Sequence, residues 1–325
     1  MQIKYSPPSL AHAYPTGEKK FSAYVALNAK TPFLHFAHLT ATQALLEALT
    51  EDGDELFLHI VDVDIAGFKG AQWPCFLQAL ADKRCEEGCS IKRVRITGIG
   101  KDLSTLEYTG SHLLKFAQSC HLPFEFVPLV QDLETLTPDM LGIQEGEVVG
   151  VNCVMQLHTL LTRGPEMLTN FLSMLESLAP TVVTLAEGDA SLNSPYFLDR
   201  FRNAWNFYSL LFDALDATLP ASSRERAQIE QEWYRAEILN VVAFEGPERF
   251  VRHQSSYLWK KFFQGNGFEI LAPSRATLSQ AQCLLKMCHP EGGYRIEEKE
   301  GSVALGWRDE TLFTVSAWRM AEMEE

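Results

Sequence analysis

From Phe21 to Leu49 the apolar positions recur at three- and four-residue steps: Phe33-Leu34, Phe36-Ala37, Ala41, Ala44-Leu45, Ala48-Leu49. That spacing predicts helix. The texture then changes. An acidic turn, Glu51-Asp52-Gly53-Asp54, leads into Leu56-Phe57-Leu58-His59-Ile60-Val61. A short apolar run after a turn is what a strand buried on both faces presents. Similar runs follow at Val94–Thr97, Phe124–Val127, Val148–Val151 and Val182–Leu185, separated by helical patterns at Pro74–Lys83, Leu103–Ser119 and Glu166–Ser177. Past Glu187 the alternation stops. Pro195 to about Arg235 carries only helical spacing, with Phe197, Phe201, Trp205, Phe207-Tyr208 and Leu211-Phe212. It resumes with a helix at Tyr257–Phe263, a strand at Phe268–Leu271, and two strands, Ser302–Trp307 and Leu312–Trp318, around a turn at Asp309.

Strand and helix in alternation predict a doubly wound parallel sheet. Five such strands, then a helix, a strand and a terminal hairpin, are similar to the class I methyltransferase core. The fold class is therefore α/β: a Rossmann-like, methyltransferase-like, mostly parallel sheet with a C-terminal antiparallel hairpin and an α-helical cap. One domain is expected over residues 1–325, with cap helices at about 1–50 and 190–235 and an α/β core at about 51–189 and 236–325.

Composition narrows the function classes. The chain has 325 residues, 46% hydrophobic and 22% charged, the balance of a folded protein. No stretch reaches the roughly 20 apolar residues of a membrane helix, and the polar start with Pro7-Pro8 is unlike a secretory signal. The net charge of −14 opposes phosphate on average, so DNA contact would need a local basic patch. Seven cysteines, an odd count without a signal, are expected as reduced thiols. Cys85-x3-Cys89 and Cys283-x4-Cys288-His289 lack partners at finger spacing, so no metal is expected.

Three motifs, in order, resemble the GRAS family of plant transcriptional regulators. The first, VHIID, is read at Leu58, His59, Ile60, Val61 and Asp62, followed by Gln72-Trp73-Pro74. The PFYRE motif is read in pieces at Pro195, Phe207-Tyr208 and Glu237, with its arginine displaced to Arg235. The SAW region supplies Trp259-x7-Gly267, then Trp307, then Ser316-Ala317-Trp318. The resemblance spans roughly residues 21–320 and is greatest to the scarecrow-like members. Two departures stand out: the leucine-rich helices usual upstream of Phe21 are missing, as in a truncated domain, and the loop 66–71 is longer than the family's. The resemblance implies a nuclear regulator, not an enzyme. Its implied partners are other transcription factors or GRAS proteins, in a homo- or heterodimer, with direct DNA contact as a further element and no membrane.

Several residues also invite chemistry. The loop after the first strand, with Asp62, Asp64, Gly67 and Gly70, stands where a Rossmann-type fold binds its cofactor. Its glycine spacing fits a nucleotide fingerprint poorly, and Thr97-Gly98-Ile99-Gly100 stands where the second strand would end in an acid. No cofactor is expected; the alternative is S-adenosylmethionine, in a methyltransferase. His59 reads as a packed, hydrogen-bonded histidine, and Cys153 with His158 as a weak nucleophile–base candidate. Trp307 and Trp318 read as sheet-packing aromatics. Arg249, Arg252, Lys260 and Lys261 form the densest basic cluster and are the candidate DNA contact, with a solvated charged face as the plainer reading.

Overall fold

A computed structural model describes residues 18–51, 55–65, 67–86, 90–288 and 292–321. The lead-in up to Gly17, Asp52–Asp54 of the acidic turn, Ala66, Cys89 and His289 lie outside the described residues. The helical stretch opens as two helices, α1 (Glu18–Lys30) and α2 (Phe33–Leu49), because Pro32 has no N–H to continue the ladder. The alternating region follows as β1 (Glu55–Asp62), α3 (Trp73–Glu86), β2 (Ser90–Gly100), α4 (Leu103–Ser119), β3 (Phe124–Val130), β4 (Val148–Val154), α5 (Leu157–Leu160), α6 (Pro165–Leu178) and β5 (Val182–Gly188). The helical insertion is α7 (Phe197–Thr218), α8 (Arg224–Gln228), a π-helical turn at Ile229–Tyr234, and α9 (Arg235–Ala243). The chain closes with α10 (Ser256–Gly265), β6 (Phe268–Leu271), α11 (Arg275–Cys288), β7 (Tyr294–Lys299), β8 (Ser302–Trp307) and β9 (Glu310–Met320).

All nine strands among the described residues form one sheet in the order β3-β2-β1-β4-β5-β9-β8-β7, with β6 pairing β9 beyond the end of β8. The first five are parallel and the last four antiparallel. The antiparallel part exceeds the expected hairpin by β7, an edge strand. β1 is central, flanked by β2 and β4. Its alternation feeds two cores: Leu56, Leu58 and Ile60 pack with α3 and α4, while Val61 and Val63 join α6 and α10.

The helix α2 is apolar nearly all round, which suits a helix buried on several sides. It lies on β4, β5 and β9 and packs against α3 and α11. Gly150 on β4 lets it approach: a Cβ there would stand 2.9 Å from Leu49 Cδ1. The shorter α1 instead packs on α8 and the π turn, where Gln228 donates to Ser22 Oγ at 2.8 Å. The helical lead-in is thus divided between cap and sheet layer. A third core joins α1, α7, α9 and α11 to β8 and β9. No helix among the described residues is long and apolar enough to cross a membrane.

Candidate functional site

The sheet reverses strand order between β1 and β4, and a ligand in such a fold sits beyond the strand ends at that point. Here the position is filled from within. Asp62 ends β1 buried; its Oδ2 accepts Trp73 Nε1–H at 2.6 Å and its Oδ1 accepts Asn152 Nδ2–H at 3.2 Å. Asn152, from the neighbouring strand, exchanges a second pair of bonds with the Gln72 amide (3.1 and 3.2 Å) and accepts Thr184 Oγ1–H at 3.0 Å. Burial pushes the Asp62 carboxyl up to about 7, against the pull of the Trp73 and Asn152 bonds.

The loop above is clamped as well. Asp64, at φ 75°, accepts Gln156 Nε2–H at 2.6 Å. Gly70 adopts φ 67°, a conformation that favours glycine, and its N–H closes the loop on Ile65 O. Gly67 turns tightly over Asp64, where an added Cβ would stand 2.7 Å from Asp64 Oδ2. Phe68 packs between Tyr24 and His38, and Lys69 Nζ sits 3.6 Å from the Phe21 ring centroid. The cavity left among these residues is ≈ 10 Å³.

His59, Asp62, Gln72 and Trp73 therefore serve packing. His59 is wholly buried, with Nδ1 at 2.9 Å from Glu147 Oε2 and Nε2 at 2.8 Å from Thr97 Oγ1. Burial lowers its pKa, against the raising effect of Glu147. Glu147 also binds Arg93 Nη2 at 2.6 Å and the Gln144 N–H at 2.8 Å.

Cys153 and His158 do not form a nucleophile–base pair. Burial, then Asp62 and Glu187, push the Cys153 thiol up, which keeps it neutral. His158 turns instead to Glu187, at the end of β5. Glu187 Oε2 accepts Nδ1–H from both His158 (2.9 Å) and His253 (3.3 Å), whose rings lie 4.1 Å apart. A carboxylate only accepts, so each Nδ1 carries the proton. Burial raises Glu187, but the two histidines outweigh it and hold the carboxyl at about 2. Among the described residues this is the one trio whose ligand atoms, all within 4.8 Å, could hold a metal ion. Its hydrogen bonds join the three side chains as a histidine–glutamate–histidine staple.

The remaining motif residues are placed in packing roles too. Phe207 and Tyr208 are buried in the cap core, and the Tyr208 hydroxyl lies 3.1 Å from Glu237 Oε2 across to α9. Pro195 is exposed just before α7. Trp259 is buried, and Gly267 turns at φ 81° into β6. Trp318 stacks on Phe263 at 4.7 Å and donates to Ser316 Oγ, while its neighbour Ala317 pairs with Thr184 and Leu271. Trp307 donates to Asp213 Oδ2 at 2.6 Å.

The basic cluster requires correction. Arg249 is 3% exposed and donates to Leu192 O at 2.9 Å. Burial, then Arg252 and Arg200, lower its guanidinium to about 10. It frames the loop before α10 and cannot reach DNA from there. Arg252 is spent on Arg249 O, Asn193 Oδ1 and Gly246 O. Lys260 pairs with Glu300 at 3.7 Å, and Lys261 lies exposed over the Tyr257 ring.

Spacing alone missed Glu147, Glu187, Arg200 and Asn240. Arg200, fully buried in α7, donates to Val241 O and Ser194 O and pairs with Glu245. Asn240 accepts the Phe250 and Val251 N–H groups. The available signal was a polar residue inside an apolar pattern, which a buried fold must satisfy.

Comparison with known proteins agrees with these motifs. Residues 2–319 match the GRAS domain family. Scarecrow-like protein 18 of Arabidopsis thaliana is 41% identical over 303 residues, covering 91% of this chain and 67% of that protein. Protein SCARECROW of Ipomoea nil is 38% identical over 318 residues, covering 98% of this chain but 39% of that protein. The crystal structure of SCL7 in Oryza sativa superposes with a TM-score of 0.85 at 35% identity, covering 95% of this chain and 85% of that one. This chain belongs to the GRAS domain family.

Proposed function

We propose that this chain is a nuclear transcriptional regulator that works by binding protein partners, other GRAS proteins or transcription factors, and catalyses no reaction. The supporting observation is the filled crevice. A cavity of ≈ 10 Å³ is about one water, whereas small-molecule pockets run to roughly 300–1,000 Å³. Asp62 and Asp64, the carboxylates that would meet a cofactor, are spent on Trp73, Asn152 and Gln156. S-adenosylmethionine binding would have to expel the Gln72–Trp73 segment and break its bonds. Homo- or heterodimerisation belongs to this reading. Direct DNA contact is its secondary element, left to Lys260 and Lys261 after the loss of Arg249 and Arg252. The experiment is tethering: fused to a heterologous DNA-binding domain, the chain should change output from a reporter carrying that domain's site. Unchanged output, together with methyl transfer by the purified chain, would reverse the proposal.

A further inference from the structure

One face of α7 is left uncovered among the described residues. Its inner side, Arg200, Ala204, Phe207, Tyr208 and Leu211, is buried in the cap. Its outer side begins at Tyr196 (72% exposed) and Leu198 (73%), continues through Phe197 and Phe201, and ends at Trp205 (68%). Phe197, Phe201 and Trp205 repeat every four residues, so they form one ridge along the helix. Scattered exposed apolar residues are ordinary, but five large ones in ten residues make a patch. The ridge is rigid: Phe197 and Phe201 pack at 5.9 Å, and the buried Arg200 guanidinium lies 5.7 Å from the Phe197 ring centroid.

Size and charge indicate what would cover it. Aromatic side chains carry about 150–250 Å² each, so the exposed fractions sum to roughly 500–700 Å². A standard protein interface takes about 800 Å² per partner, so the ridge falls short of a stable subunit contact and suits a single helix. Its rim is acidic. Glu245 is exposed where it pairs with Arg200, beside Phe197, and Glu248 is exposed on the same loop, against Arg202 on the flank of the helix. A second copy carries the same net charge of −14, which opposes self-association on average.

We infer that the α7 ridge docks an amphipathic helix of a partner protein, its apolar stripe flanked by lysine or arginine. The inference rests on the proposal that the chain works through protein partners and gives that proposal a surface. The test uses three labelled synthetic 14-residue helices and the full chain, read by fluorescence anisotropy. One peptide has a Leu/Trp stripe with lysine flanks, one the same stripe with glutamate flanks, and one lysine flanks with a serine stripe. The first should bind, and the other two should bind at least tenfold more weakly. The Leu198→Ser/Trp205→Ser double variant should lose at least tenfold toward the first peptide with an unchanged circular dichroism spectrum. Glu248→Lys should lose several-fold, and less at high salt. Equal binding of the three peptides, no binding of the first, or full affinity in the double variant would each overturn the inference. So would sedimentation showing a dimer of the chain that the double variant disperses, because the occupant would then be a second copy. Failure here leaves the regulator proposal standing, since that proposal is tested separately by tethering and by S-adenosylmethionine binding.

Discussion

Two buried carboxylates close strands of the same sheet and behave in opposite ways. Asp62, at the end of β1, is pushed up to about 7. Glu187, at the end of β5, is held at about 2. Both are out of water, so burial cannot be the difference. Asp62 meets only uncharged donors, an indole and an amide, which do not offset its lost hydration. Glu187 meets two imidazoles that gain a positive charge when protonated. The neighbours decide the protonation state. They also decide the role, because in both places the carboxylate oxygens are used up inside the protein.

The largest expected effect comes from removing the anion of the Glu187 staple. Glu187→Ala strips the partner from both histidines and from the His158 N–H. Breaking a buried pair from one side costs about 3–5 kcal/mol. Urea denaturation at pH 7 measures it, and a loss under about 1 kcal/mol would mean the staple does not hold α5 and the loop before α10 to the end of β5.

The pH dependences should run in opposite directions. Glu187 is depressed in the folded chain. Its stabilisation is present above the unfolded carboxylate value and is lost as pH falls through about 4.5 toward 2. Asp62 is raised. Its contribution is fully present below about pH 4 and is lost as pH rises through about 7. At about 1.36 kcal/mol per unit, the Asp62 component amounts to at most about 4 kcal/mol. Unfolding free energies from pH 4 to pH 8 should show it in the wild type and lack it in Asp62→Asn. Parallel curves for the two proteins would contradict an Asp62 that titrates near neutrality.

Smaller effects separate framework cations from surface ones. Arg249→Ala should destabilise the fold by about 2 kcal/mol, since it removes buried packing and orphans Leu192 O. Lys261→Ala should stay within about 0.5 kcal/mol. If the two variants melt alike, the burial of Arg249 is wrong and the basic patch returns as a surface.

Legibility in the sequence follows the range of the interactions. Helix α4 begins and ends where its pattern predicts, because a local signal fixes it: Asp102 caps it by accepting the Thr105 N–H at 2.8 Å. The parallel strands were legible as apolar runs. Strand β7, Tyr-Arg-Ile-Glu-Glu-Lys, was not, because an edge strand with a wet face carries no such run. The split between α1 and α2 carries its own local signal in Pro32, although the apolar spacing runs on through it. The site was harder to read. Asp62 meets Asn152 from 90 positions away, and Glu187 meets His253 from 66. Spacing cannot reveal such pairs. Nor does spacing distinguish Arg249, buried beneath a run of charged residues, from a surface cation.

The most direct test of a closed crevice is calorimetric titration of the purified chain with S-adenosylmethionine, repeated on Asp62→Ala. A crevice filled by Gln72, Trp73 and Phe68 predicts no saturable heat with either protein. Micromolar binding by the wild type that vanishes in Asp62→Ala would contradict it and would make the loop from Asp62 to Trp73 a cofactor site.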